Sequence, residues 1–150
     1  MISKILVPTD GSKTAQKAAR YAVDLAKQLK ASVIVLSVVD NRPIMVQTVT
    51  AVDTPRHIIQ PLEEYLHEAA KGYAGQIKKL CDQHGVRSKT VITTGHPVED
   101  IVNTAEKAKA HLIVLGSHGR SALAAAVLGS VAYGVMHKET KVPVLIVRRG

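Results

Sequence analysis

Hydrophobic residues fall in two alternating rhythms along this chain. Short apolar runs rich in β-branched residues occur at Lys4–Pro8 (KILVP), Ser32–Asp40 (SVIVLSVVD), Lys89–Gly95 (KTVITTG), His111–Gly116 (HLIVLG) and Val142–Arg148 (VPVLIVR). Runs of this length and composition predict strands. Between the first two, Ala15, Ala18, Ala19, Ala22, Leu25, Ala26 and Leu29 recur at helical spacing. Lys13, Lys17, Arg20, Asp24 and Lys27 occupy the opposite face. This predicts an amphipathic helix that starts after the Asp10-Gly11-Ser12 turn, with Ser12 as its cap. A second helix is predicted from Pro61, with Leu62, Leu66, Ala69, Ala70, Tyr73, Ile77 and Leu80 on one face and Gly85 stopping it after His84. A third runs through HPVEDIVNTAEKAKA, where Pro97 suits the first helical position and Glu99 and Asp100 suit the positive end of the dipole. A fourth begins near Ser130. The stretch from Asn41 to about Gln60 has two prolines and no period. It exceeds ordinary connection lengths and reads as functional, as an interaction element, or as partly disordered.

Strands that alternate with helices predict βαβ units. Strands that are apolar on both faces predict a parallel sheet covered on both sides. The expected fold is therefore α/β: a single domain over residues 1–150, a three-layer α/β/α sandwich around a five-stranded parallel sheet, with residues 41–60 as an irregular connection. No internal repeat, low-complexity tract or second-domain boundary is visible.

Composition narrows the function. Hydrophobic residues make up 46% of the chain, enough for a real core, and with no Phe or Trp that core must be aliphatic. A formal charge of +8 attracts polyanions, but the basic residues are dispersed rather than blocked. Aromatic residues are 3%, all Tyr, so platforms for stacking nucleic-acid bases are not expected, and nucleic acid is not expected as a partner. No apolar run approaches the roughly 20 residues that span a bilayer, so no membrane is expected as a partner. The start, MISKILVPTDG, lacks the apolar segment of a secretory signal, and the single cysteine, Cys81, has no bridging partner. A cytoplasmic location is expected.

In an open parallel sheet, ligands bind beyond the carboxyl ends of strands, where the strand order reverses. Asp10 follows the first strand. Gly116, Ser117, His118 and Gly119 follow the fourth. The order 3-2-1-4-5 makes these loops flank one crevice; the order 2-1-3-4-5 does not. Gly116 and Gly119 are expected to use positive φ angles and offer backbone N–H groups as an anion nest. Gly129-Ser130 stands at a helix start, where free N–H groups and the dipole favour anions. A phosphate chain lying between the two is the expected ligand, with residues 120–128 as the arm joining them. Each residue alone also fits ordinary turn chemistry, and Asp10 also fits a loop-holding or capping role. Their joint spacing favours a nucleotide.

The spacing Gly116-x2-Gly119-x9-Gly129-Ser130 resembles the pattern G-x2-G-x9-G-[S/T] of the ATP-binding universal stress proteins. ILVPTDGS at Ile5–Ser12, TGHPVEDIV and VPVLIVR are also similar to segments of that family. The resemblance implies an adenine nucleotide alpha hydrolase-like sheet of order 3-2-1-4-5 and a homodimer. It implies ATP in the crevice, with Mg or Mn as a candidate companion ion. Carried over by position, it puts Pro8, Thr9 and Asp10 beside adenine and ribose, and Val38 on the adenine. Leu115 and Gly116 begin the ribose–phosphate loop, and Ser117, His118, Gly119, Gly129, Ser130 and Val131 hold the phosphates. Repulsion between carboxylate and phosphate turns Asp10 toward the nucleoside end or a metal ion. Arg120 is added as a phosphate neutraliser of open direction. The dimer is expected through Val142–Arg148, a candidate sheet edge.

No G-x4-G-K-[S/T] and no G-x-G-x-x-G after the first strand is present, so neither a P-loop nor a Rossmann dinucleotide site is expected. The seven histidines form no metal signature, and His118 has no evident catalytic partner. The reading is a nucleotide-dependent regulatory module for the stress response that signals to an unidentified protein partner. The alternatives are a slow ATPase or phosphotransferase, and a dimeric interaction module that binds no nucleotide.

Overall fold

The computed structural model describes residues 1–42, 56–120 and 127–149, with side chains from residue 60 onward in the second of these spans. Its strands are β1 (Lys4–Pro8), β2 (Ser32–Asp40), β3 (Ser88–Gly95), β4 (Leu112–Gly116) and β5 (Val144–Val147). Its helices are α1 (Lys13–Leu29), α2 (Arg56–Gln83), α3 (Pro97–Lys107) and α4 (Ser130–His137). All pairings are parallel, and the sheet order is β3-β2-β1-β4-β5. The α/β class and the strand order are those expected from the sequence.

Two-residue alternation along the strands builds two cores. Ile5, Val7, Val33, Val35 and Val114 face one way, against Ala18, Ala22, Val23 and Ala26 of α1 and Ala74, Ile77 and Cys81 of α2. Leu6, Ile34, Leu36, Ile113 and Leu115 face the other way, against Ile101, Val102 and Ala105 of α3 and Ala132 and Val135 of α4. The alanine stripe of α1 lets that helix lie close on the sheet, an arrangement suited to a core without large aromatics. Cys81 is fully buried, and burial pushes its thiol up from its ordinary value.

The caps agree with the sequence. Ser12 takes an extended conformation and its Oγ accepts the Ala15 N–H at 3.1 Å. Gly85 has φ +68° just past the end of α2. One boundary differs. Pro61 does not open α2 but lies inside it, five residues after Arg56. A helix tolerates proline best in its first turn, where N–H groups lack partners anyway. Pro61 stands only just beyond that turn and forfeits one helix bond, toward the carbonyl of His57. The predicted 41–60 connection is thus described only at its two ends, and residues 43–55 lie outside the described residues. So do residues 121–126 of the predicted 120–128 arm.

The sheet opens where the site lies. β1 stays in register with β2 through Pro8↔Leu36, but with β4 only at Ile5↔Leu112 and Leu6↔Ile113. β2 runs four residues past that pairing, to Asp40, alongside β3 alone. A crevice therefore opens beyond the ends of β1 and β4, the reversal point of the sheet.

Candidate functional site

The crevice has a volume of about 230 Å3. Of the residues predicted from sequence, Pro8, Thr9, Asp10, Val38, Leu115, Gly116, His118, Gly119, Arg120, Ser130 and Val131 line it. Ser117 and Gly129 do not; they brace it from behind. The Ser117 N–H donates to the Val147 carbonyl at 2.9 Å, and its Oγ accepts the Arg149 N–H at 3.2 Å. The same hydroxyl lies 2.7 Å from His118 Nδ1. The Gly129 N–H donates to the Ser117 carbonyl at 2.6 Å. One buried serine thus ties β4, β5 and the start of α4 together.

Asp10 is the second brace. Its Oδ1 accepts the Ser12 N–H and its Oδ2 the Arg120 N–H, each at 2.9 Å. Arg120 returns the contact: its Nε donates to the Asp10 carbonyl at 2.6 Å, and its guanidinium lies 4.7 Å from the centre of the Tyr73 ring. The open direction of Arg120 is thereby answered, since its side chain spans the β1 loop and α2. The loop-holding role of Asp10 is also answered, while the helix cap falls to Ser12.

The glycines work differently from the expectation. Neither Gly116 nor Gly119 has positive φ; that conformation falls on Gly11 at +78°. What they supply is room. A Cβ on Gly119 would lie 2.6 Å from Asp10 Oδ2, and one on Gly116 would lie 3.0 Å from the Thr14 carbonyl oxygen. The Gly129 N–H is also not an anion donor, because Ser117 already takes it. The N–H groups at the start of α4 are the ones left over. Gly129 caps that helix with no side-chain bond, and the first helical donor with an intrahelical acceptor is Tyr133, to Gly129 at 2.9 Å. Ser130 and Val131 line the crevice with no partner for their N–H groups among the described residues.

Six further lining residues were not predicted: Ala15, Leu36, Asp40, Pro97, Ile101 and Ala132. Leu36 and Asp40 share a strand face with Val38, and strand alternation would have found them from Val38 alone. Asp40 is clamped by Arg42: Nε to Oδ1 at 2.8 Å, Nη2 to Oδ2 at 2.7 Å, and the Arg42 N–H to Oδ1 at 3.1 Å. Hydrogen bonds from Arg42 hold the Asp40 carboxyl below its ordinary value, and the same pairing raises Arg42. Arg42 Nη1 also lies 2.9 Å from His96 Nε2. A guanidinium only donates, so that nitrogen accepts and Nδ1 carries the proton. Nδ1 is buried with no partner among the described residues.

The crevice therefore has an apolar wall of Leu36, Val38, Ile101 and Leu115, and it is also lined by Ser130 and Val131, whose N–H groups have no partner among the described residues. That suits a flat, largely apolar group joined to an anion. Among the described residues, no group of three His, Cys, Asp or Glu side chains is arranged to hold a metal. No described helix is long and apolar enough to cross a membrane.

A five-stranded parallel sheet with its crevice at the β1/β4 reversal defines a class of nucleotide-site folds. Comparison with known proteins narrows it. The Universal stress protein family matches residues 1–148. Universal stress protein MJ0531 of Methanocaldococcus jannaschii is 38% identical over 99% of this chain and 84% of its own. MJ0577, from the same organism, is 37% identical over 99% of this chain and 96% of its own. A solved structure of MJ0577 superposes with a TM-score of 0.85 over 100% of this chain and 98% of that one, at 36% identity. A universal stress protein in complex with cAMP superposes with a TM-score of 0.62 at 26% identity, over 98% of this chain and 97% of that one. The chain belongs to the universal stress protein family.

Proposed function

We propose that this chain is a cytoplasmic, ATP-binding universal stress protein that works as a nucleotide-dependent regulatory module and a homodimer. The observation that carries the reading is the pairing of an apolar wall on β2 with N–H groups at the start of α4 that have no partner among the described residues, in one crevice. Adenine lies against Val38, Leu36 and Ile101. The phosphates meet the Ser130 and Val131 N–H groups, the Ser130 hydroxyl and the positive end of the α4 dipole. The cAMP complex of a relative supports an adenine nucleotide as the ligand class. A divalent ion enters with the phosphates of the ligand, and the reading assigns it no step.

Regulation follows from the braces. The β1 and β4 loops meet through Asp10 and Arg120, and a ligand touching both loops favours the arrangement in which they meet. A partner that senses the same arrangement is coupled to ATP with equal strength in both directions. The homodimer forms through β5, an edge strand of the sheet.

Calorimetry with ATP, ADP and AMP tests the reading. The expected result is binding that weakens as phosphates are removed. Absence of binding to all three adenosine compounds overturns it. Mass spectrometry of material that co-purifies with the native protein identifies the nucleotide carried.

A further inference from the structure

We infer that the Asp40 carboxylate reads the base, accepting a hydrogen bond from the exocyclic amino group of a 6-aminopurine and disfavouring 6-oxopurines. This rests on the nucleotide reading of the crevice and assigns its specificity. Leu36, Val38 and Asp40 are alternate residues of β2, so they form one row on one face of the strand, and all three line the crevice. The row changes from apolar to charged at its last member. One step along it is about 6.6 Å. A ring resting on Val38 therefore presents its far edge to Asp40. In a purine, the edge farthest from the sugar carries the 6-substituent.

The polarity of the crevice sets this direction. Phosphates belong beside the donors of α4, which packs with β5 and α3. Asp40 stands at the tip of β2 that projects past its pairing with β1 and is paired there with β3. A carboxylate is unfavourable next to phosphate and suits the opposite end.

The carboxylate is prepared for an acceptor role. Arg42 grips both oxygens: among the described residues Oδ1 receives two bonds and Oδ2 one. An ionised carboxylate oxygen accepts more than one hydrogen bond, so Oδ2 keeps capacity for a donor. Arg42 is itself steadied by His96 at the entry to α3. Asp40 is ionised at neutral pH, and the hydrogen bonds from Arg42 hold its value lower still, so the group is an acceptor there. An amino group donates to such an oxygen. A 6-oxo group sets its own lone pairs against it, which is a repulsive element in specificity.

The test compares binding of ATP, ITP and purine riboside triphosphate to the full chain and to Asp40→Asn and Asp40→Ala. Circular dichroism and a thermal melt check that each variant is folded. The expected result is about a tenfold preference of the wild-type chain for ATP over both analogues, the worth of one charge-assisted hydrogen bond. In both variants the three ligands are expected to bind within about twofold of one another, by the same scale. ITP or purine riboside triphosphate binding as tightly as ATP to the wild-type chain overturns the assignment. So does a preference for ATP that survives in the folded variants. A discrimination against 2′-deoxyATP that vanishes in the variants also overturns it, by moving Asp40 to the ribose. Failure of the wild-type chain to bind any of the triphosphates is a different result, because it removes the nucleotide reading itself.

Discussion

Asp10 and Arg120, 110 residues apart in sequence, hold each other through two hydrogen bonds, from the Arg120 N–H to Oδ2 and from Nε to the Asp10 carbonyl. Only the side-chain bond can be removed by changing Asp10. Asp10→Ala deletes the acceptor for both the Ser12 and Arg120 N–H groups. Each such bond is worth roughly 1 kcal/mol, and a change of that size moves the melting temperature of a chain of this length by about 2–4 °C. The expected outcome is a modest fall in the melt, with a larger fractional loss of nucleotide affinity. Asp10→Asn keeps one acceptor and should fall between the two. Paired melts and titrations check both statements, and an Asp10→Ala protein that binds ATP like wild type argues against the brace.

Gly119→Val places side-chain atoms where Asp10 Oδ2 lies, since a Cβ alone would come within 2.6 Å. Gly119 is exposed, so the loop can move outward without opening the core. Near-wild-type circular dichroism is expected, together with at least about a tenfold loss in ATP affinity, the equivalent of 1.4 kcal/mol. Calorimetry on the folded variant reads this, and retained affinity counts against the site.

Edge pairing through β5 has a selective probe. Pro143 and Val147 aim their carbonyls at β4. In a parallel pair, alternate residues point their backbone groups to opposite sides, so Val144 and Ile146 present theirs outward. Val144→Pro removes an outward N–H while leaving the pairing with β4 in place. The expected result is a shift from dimer to monomer in light scattering or sedimentation. A variant that keeps the wild-type mass moves the interface elsewhere.

The Asp40–Arg42 pair makes a signed pH prediction. Asp40 titrates below its ordinary value in the folded chain, so the unfolded chain takes up its proton first. The pair's contribution is complete at neutral pH. It fades once pH falls below the ordinary aspartate value of about 3.9, toward the lower folded value. Arg42 is half-exposed and Asp40 a third exposed at their side chains, so the contribution stays under about 1 kcal/mol. Urea melts of wild type and Asp40→Asn should differ slightly at pH 7 and converge in strong acid. A difference that grows as the pH falls contradicts the pairing.

Much of this molecule was legible along the chain. Short apolar runs marked the five strands, because a strand of a covered parallel sheet leaves water on both faces, and a 3.6-residue period marked the first three helices, because it states which face must leave water. The positions of Asp10 and of Gly116–Gly119 favoured the strand order that the structure shows, because neighbouring strands bring those loops together. Pro61 was misplaced because proline fits a helix start so well that local evidence favours it there. The positive φ expected of Gly116 and Gly119 is absent, and what the structure shows there instead is a need for room. Positive φ is a local attribute, whereas the need for empty space at Gly116 and Gly119 comes from Thr14 and Asp10, more than 100 residues earlier.

By itself, then, the order of residues determined the α/β class, since that depends on apolar runs alternating with helical periods; it favoured the order β3-β2-β1-β4-β5 through the loops at strand ends, and it pointed to Pro8, Val38 and Leu115 through the resemblance to the family. The tertiary structure alone decided how each group is employed. It spent the Gly129 N–H on Ser117, turned Arg120 onto Asp10 and Tyr73, and set Asp40 at the rim beneath Arg42 and His96. Those roles depend on distances between segments remote in sequence, and a one-dimensional pattern carries no distances.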